Sequence, residues 1–172
     1  NGVNRPEVVD DDLITKRFDL HKNEYFLFLG RLVPEKGIRY LVEAFKEVKT
    51  DKKLVIAGGA SDTDEFTQEL KKLAESDRRI IFTGFVQGKT LDELYCCLVS
   101  DIAECAEVVE DKAVVFKKSD VEDLREKLQE CCFNGKRVEE YKENAADFIC
   151  RKYVWDRAAE KTVGLYGGKR KK

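Results

Sequence analysis

The 172-residue chain contains no methionine, one histidine and two prolines. It also lacks any apolar run near the roughly 20 residues that a membrane-spanning helix requires, so we expect no transmembrane segment. Its 32 basic and 34 acidic side chains nearly cancel, which gives no general signal for nucleic-acid binding. Because the chain begins Asn-Gly-Val and has no methionine, we expect it to be a piece of a longer protein.

The six cysteines do not show the spacing of a metal site. They form two adjacent pairs and two isolated positions: Cys96-Cys97, Cys131-Cys132, Cys105 and Cys150. No C-x-x-C pair occurs and His21 is the only histidine, so zinc ligands lack their usual spacing. The pattern is typical of reduced, buried thiols, and it predicts a cytoplasmic protein without a bound metal.

Short apolar runs alternate with amphipathic stretches along the chain. The runs are continuous, as in strands buried on both faces, and they lie at residues 25–30, 52–59, 79–84, 97–100 and 113–116. Helical periodicity appears around residues 38–48, 66–73, 90–95, 121–128 and 138–151. This repetition predicts a single α/β domain with a Rossmann-like parallel sheet and helices on both faces.

Two motifs that suggest phosphate chemistry are rejected on their context. In RRIIFTGFVQGKT, residues 78–90, only three residues separate Gly84 from Gly88, whereas a P-loop needs four. A shorter loop cannot wrap a phosphate and place Lys89 on the same oxygens. The acidic cluster at residues 7–12 lacks the buried strand that precedes the acids of a phosphoacceptor domain, so a solvated turn is expected there.

The loop after the first strand carries the strongest ligand-binding pattern. In GRLVPEKG, residues 30–37, Arg31 and Lys36 flank the start of a helix whose free N–H groups carry partial positive charge. An anion there would meet a guanidinium, an ammonium and the helix end together. Gly30 and Gly37 let the backbone approach a ligand. Taken alone, the same string is also compatible with a solvated turn.

The surrounding sequence resembles one known family. GRLVPEKGIRYLVEAF, residues 30–45, is similar to the opening of the donor-binding domain of GT-B retaining glycosyltransferases of family four. The likeness continues in register through NGVN, LVIAGG and IIFTGFV, and through residues 100–124. Residues 153–166 resemble the C-terminal helix that crosses back to the other domain. The resemblance therefore implies a GT-B C-terminal domain covering nearly the whole chain.

This resemblance also implies a domain layout. The α/β core would span residues 1–151 and the crossover helix residues 152–166. The basic tail, residues 167–172, is expected to be disordered. The N-terminal acceptor domain would be absent from this chain.

The resemblance assigns roles to particular residues. Gly30, Arg31 and Lys36 would bind the diphosphate of a nucleotide-sugar and neutralise charge as the nucleotide leaves. No metal or other cofactor is implied, because these cations do the work that a metal would do. The residues expected beside the nucleobase, mainly through backbone groups, are Gly84, Phe85 and Val86. The remaining residues expected near the donor pocket are Gly58, Gly59 and Glu107.

The chain departs from the family at its main signature. The Pro-Ser-x-x-Glu-Gly loop and its E-x7-E glutamates are missing, because Tyr95 runs directly into Cys96. About one βα unit, roughly 25–30 residues, is therefore absent. Three explanations stay open: a segment of the protein that is not recorded between these two residues, an engineered deletion, and a naturally shortened copy.

The expected function follows from the resemblance to the glycosyltransferase family and from the absence of the family's E-x7-E signature. The chain would be the UDP- or GDP-sugar-binding domain of a hexosyltransferase, without catalytic residues and inactive on its own. Its partners would be the nucleotide-sugar and the acceptor domain, with no nucleic acid, and peripheral membrane contact is conceivable for the parent. The alternative is a non-catalytic, engineered or rearranged α/β scaffold without a working pocket.

Overall fold

The computed structural model describes residues 12–21, 23–59, 65–86, 98–100 and 113–166. The strands in this part of the chain are β1 (Tyr25–Leu29), β2 (Lys53–Ala57), β3 (Ile80–Gly84), β4 (Leu98–Ser100) and β5 (Val114–Phe116). The helices are α1 (Asp12–Phe18), α2 (Ile38–Glu47), α3 (Glu65–Ala74), α4 (Val121–Phe133), α5 (Gly135–Lys152) and α6 (Trp155–Tyr166). A short 3₁₀ helix, Pro34–Lys36, precedes α2.

All paired strands run parallel, which confirms the predicted fold class. Strand β2 lies between β1 and β3 in a three-stranded sheet, and β4 pairs with β5 in a second sheet. In the doubly wound strand order 3-2-1-4-5-6, the strand that comes fourth in the family's chain order pairs with the first. Among the described strands, β1 is paired only with β2. The sheet of β1, β2 and β3 is therefore separate from the pair of β4 and β5, and the predicted missing βα unit would supply the strand between them.

The central strand β2 places alternate side chains on the two faces of its sheet. Leu54 and Ile56 pack in a core cluster with Ile38, Val42 and Phe45 of α2, Leu70 of α3 and Leu124 of α4. Val55 and Ala57 pack in a second cluster with Ile14 of α1, Leu20 and Val86. Helices therefore cover both faces, as the sequence predicts.

Arg79 joins the start of β3 to the carboxyl end of α2. Its guanidinium donates to the carbonyl oxygens of Val48 and Thr50 at 2.8 Å each, and of Phe45 at 3.4 Å. It also pairs with the Asp77 carboxylate at 2.6 Å and lies 4.9 Å from the centre of the Phe45 ring. This side chain supplies hydrogen-bond partners that the end of a helix otherwise lacks.

The described elements agree with most of the sequence expectations. Helix α5 begins at Gly135, earlier than the predicted 138, because the Asn134 side chain accepts from the Arg137 N–H at 3.2 Å and caps it. Helix α1 was not predicted. The expected helix at 90–95 and the basic tail at 167–172 lie outside the described residues.

The described cysteines differ in one respect from the prediction. Cys131, Cys132 and Cys150 carry reduced thiols, but they are half-buried and not enclosed in the core. Cys132 packs against the first core cluster, but its side chain is only partly buried. In the described part of the chain, no helix combines the length and apolarity needed to cross a membrane.

Candidate functional site

The loops after β1, β2 and β3 are tied together at the carboxyl edge of the sheet. In parallel α/β sheets this edge is where ligands bind. Three backbone hydrogen bonds link the loops: Gly30 N–H to Ala57 O at 3.1 Å, Leu32 N–H to Gly59 O at 3.1 Å, and Gly58 N–H to Gly84 O at 2.9 Å. The sequence-predicted residues of all three loops are therefore brought to one place.

Gly58 permits the closest of these approaches. A Cβ atom at this position would lie 1.8 Å from the Gly30 carbonyl oxygen, and the backbone φ of +154° is one that other residues rarely adopt. Any side chain would therefore push the Arg31 loop away from β2. At Gly59 the nearest atom to such a Cβ is 3.9 Å away, so the two adjacent glycines differ in what they require.

The loop between β1 and α2 presents its two cations to solvent. Arg31 and Lys36 are both exposed. Leu32, which lies between them in the sequence, is buried in the first core cluster and anchors the loop to it. In the described part of the chain, neither cation has an ion-pair partner. The loop also carries the exposed Glu35, next to Lys36. Two exposed cations without an ion-pair partner, in the loop that leads into α2, favour an anionic ligand.

Gly37 turns the chain from this loop into α2. Its φ of +68° lies in the left-handed region, and its N–H donates to the Pro34 carbonyl at 3.0 Å, which ends the 3₁₀ helix. Ile38, the next residue, is fully buried and fixes the first turn of α2 against the core. The start of α2 is therefore held in place, directly after Lys36.

The loop after β3 leaves an aromatic ring in solvent. Gly84, with a φ of +70°, turns the chain at the end of the strand. Phe85 is 73% exposed, and Val86 is buried in the second core cluster. Sequence reasoning identified this loop but could not separate the exposed side chain from the buried one, since both are apolar.

Glu107, expected near the donor pocket, lies outside the described residues. In the part of the chain that the structure describes, no cluster of three or more histidine, cysteine or acidic side chains could hold a metal ion.

A cavity of about 320 Å³ is also present, between β5, α4 and α5. It is lined by Val114, Lys127, Glu130, Arg137 and Tyr141. Glu130 pairs with both Arg137 and Lys127, the latter at 3.9 Å, so each of these two cations has an ion-pair partner. Arg31 and Lys36 differ from these two cations in having no ion-pair partner among the described residues.

Parallel α/β domains bind their ligands at the loops beyond the carboxyl ends of the strands, and here one of those loops carries two exposed cations. Residues 10–96 match the family model of the glycosyl transferases group 1. The chain therefore belongs to this family, and it is a partial, shortened domain. The match ends at Cys96, directly after the junction where the sequence predicts a missing unit.

Relatives and structures agree with this assignment. The chain is 39% identical over 71 residues to an uncharacterized glycosyltransferase of Methanocaldococcus jannaschii, covering 40% of this chain and 18% of that protein. It is 33% identical over 99 residues to a putative glycosyltransferase of Bacillus subtilis, covering 53% and 24% of the two chains. The chain thus spans less than a quarter of the length of these curated relatives.

Among solved structures, HepE from Anabaena, in complex with UDP and glucose, superimposes with a TM-score of 0.80. The sequence identity is 13%, and the match covers 91% of this chain and 52% of HepE. At this identity the likeness shows the fold alone. The fold is that of GT-B glycosyltransferases.

Proposed function

We propose that this chain is the nucleotide-sugar donor-binding domain of a retaining glycosyltransferase that transfers a hexose from a UDP- or GDP-sugar. The observation that carries the proposal is the pair of exposed cations, Arg31 and Lys36, at the carboxyl edge of the sheet. Membership of the glycosyltransferase family and the UDP found in the HepE complex support it.

The diphosphate of the donor would lie over the loop between β1 and α2. Arg31 offers a planar fork of donors that suits phosphate oxygens, and Lys36 adds a compact charge. The α2 N-terminus contributes backbone N–H groups, and Gly30 leaves its backbone uncovered by a side chain. As the nucleotide leaves, negative charge grows on the diphosphate, so these groups stabilise the transition state more than the bound substrate.

The base would lie beside the β3 end. Gly84 ends that strand and Phe85 and Val86 follow it, and the Gly58-Gly59 turn lies between them and the cations. Because neither glycine carries a side chain, the turn itself places no side chain between the two halves of the site. A ribose placed over it would connect the base to the diphosphate.

We infer that the chain alone does not turn over substrate. The E-x7-E signature is missing from the sequence, and acceptor binding would belong to an N-terminal domain of the parent. Helix α6 fits a role in joining the two domains, because Trp155 and Val163, eight residues apart, are 54% and 69% exposed. The proposed location is cytoplasmic.

A second candidate is a non-catalytic scaffold that retains the fold without a working pocket. The separation of the described strands into two sheets favours it, because the donor site of a doubly wound fold lies near the strand that would join them. Nucleotide binding separates the two candidates.

Isothermal titration of the chain with UDP and with GDP tests the proposal. Arg31→Ala should weaken binding about tenfold or more, since hydrogen bonds to charged groups contribute about 1.5–3 kcal/mol. Arg78→Ala is the matched control, because Arg78 is also exposed but precedes β3 at the opposite end of that strand. Binding of neither nucleotide, or equal effects of the two substitutions, would leave the scaffold as the better explanation.

A further inference from the structure

Phe85 stands out among the apolar residues at the carboxyl edge. Its side chain is 73% exposed, although its neighbour Val86 is 7% exposed and packs in the core. Leaving a phenylalanine in water forgoes the stabilisation that its burial would provide. A single exposed apolar residue is ordinary, so its position and its support decide whether it has a role.

The ring is presented by a constrained loop. The Gly84 carbonyl accepts from the Gly58 N–H at 2.9 Å, immediately before Phe85. Val86, immediately after it, is anchored against Val55 and Ala57 of β2. Because both neighbours are held, the backbone at Phe85 has little freedom, and the ring is offered to solvent from a defined place.

The turn formed by Gly58 and Gly59 lies between Phe85 and the cations. A Cβ atom built on Gly59 would lie 3.9 Å from the Phe85 Cβ, so this glycine borders the base of the ring without covering it. Strand β2 separates the ends of β1 and β3, which places the Arg31 loop and Phe85 about 10 Å apart, two strand spacings. One edge therefore offers positive charge at one end and an aromatic face at the other.

We propose that the Phe85 ring stacks on the base of the donor nucleotide. This inference rests on the proposed function and adds a side-chain contact to the backbone contacts expected from that loop. No side chain in this loop segment (Gly84, Phe85 and Val86) has a hydrogen-bond donor or acceptor for the edge of the base. The side-chain contact would therefore be made with the face of the base. Such a contact holds any flat base and separates uracil from guanine only weakly.

Titration with UDP and with inorganic pyrophosphate isolates the stacking contact. Phe85→Ala should weaken UDP binding about tenfold, since base stacking on an aromatic side chain contributes about 1–3 kcal/mol, and should leave pyrophosphate binding unchanged. Arg31→Ala should weaken both ligands. The matched control is Phe133→Ala, because Phe133 is 81% exposed at the end of α4, away from the loops of the site.

Proton NMR of UDP gives a readout that a purely structural role would not move. Stacking on a benzene ring should shift the two uracil ring protons upfield in the bound state. The shift should persist in Phe85→Tyr and disappear in Phe85→Leu, which keeps an apolar side chain but has no ring.

The outcomes separate this inference from the function on which it rests. If the unsubstituted chain binds UDP but Phe85→Ala behaves like Phe133→Ala, stacking is wrong and donor binding stands. If Phe85→Ala weakens UDP and pyrophosphate equally, the residue supports the loop and the stacking inference also fails. If the unsubstituted chain binds neither ligand, the proposed function and the inference fail together.

Discussion

Replacing Arg79 by alanine should strongly destabilise the domain, because several groups would lose their hydrogen-bond partner at once. The guanidinium reaches four carbonyl oxygens at and beyond the end of α2, at 2.8, 2.8, 3.4 and 3.5 Å, and one carboxylate at 2.6 Å. Its side chain is 27% exposed and that of Asp77 is 11% exposed, so water replaces these contacts only in part.

The magnitude follows from the number of groups left without a partner. A hydrogen bond to a charged group contributes about 1.5–3 kcal/mol, and removing one partner of a buried ion pair costs about 3–5 kcal/mol. Partial exposure places the loss of unfolding free energy for Arg79→Ala near 3 kcal/mol. For a chain of this length, about 2–4 °C accompany each kcal/mol, so the melting temperature should fall by roughly 6–12 °C.

Urea denaturation followed by circular dichroism measures the effect. Arg78→Ala is the control, because it removes the same charge from the preceding, exposed residue. It should change the unfolding free energy by less than about 0.5 kcal/mol. If the two alanine variants unfold at the same urea concentration, Arg79 does not hold α2 to β3 as described.

Two other predictions follow from the same structure. The hydrogen bond from Arg79 lowers the pKa of Asp77, so this carboxylate stabilises the fold at neutral pH, and the contribution is lost as pH falls through the lowered pKa. Acid titration monitored by circular dichroism should therefore show a smaller loss of stability in Arg79→Ala than in the unsubstituted chain. Equal losses of stability in acid would contradict this prediction. Gly58→Ala should lower the unfolding free energy by more than about 1 kcal/mol and weaken UDP binding, because its Cβ would lie 1.8 Å from the Gly30 carbonyl oxygen. Gly59→Ala, whose Cβ would have its nearest neighbour at 3.9 Å, should change stability and binding far less in denaturation and titration experiments. Equal effects of the two substitutions would mean that the close approach at Gly58 does not hold the Arg31 loop.

The positions of the central strands and of α2 could be predicted from the sequence. Continuous apolar runs such as YFLFL and KLVIA suit strands covered on both faces, and the structure places strands at both. The boundary at Gly37 was also readable, because a glycine between a polar loop and an amphipathic run is typical of a turn into a helix. These signals are local, so no knowledge of distant contacts was needed.

Other parts of the fold could not be predicted for an equally physical reason. Helix α1 buries Ile14 in the second cluster, but the short segment before β1 shows too little periodicity to indicate a helix. The sequence resemblance indicated a missing unit near Tyr95. Only the strand pairing shows that the described strands form two sheets, because pairing joins residues far apart in the chain.

The sequence by itself determined the fold class, the family and the two cations of the loop between β1 and α2. Tertiary structure alone separated chemically identical or similar neighbours: Arg79 reaches the end of α2 while Arg78 is exposed, and Val86 is buried while Phe85 is exposed. Composition and periodicity assign each residue a chemical type and a local conformation. Which of two adjacent side chains meets a partner some 30 residues away depends on how the strands and helices pack, and that is decided only when the chain is folded.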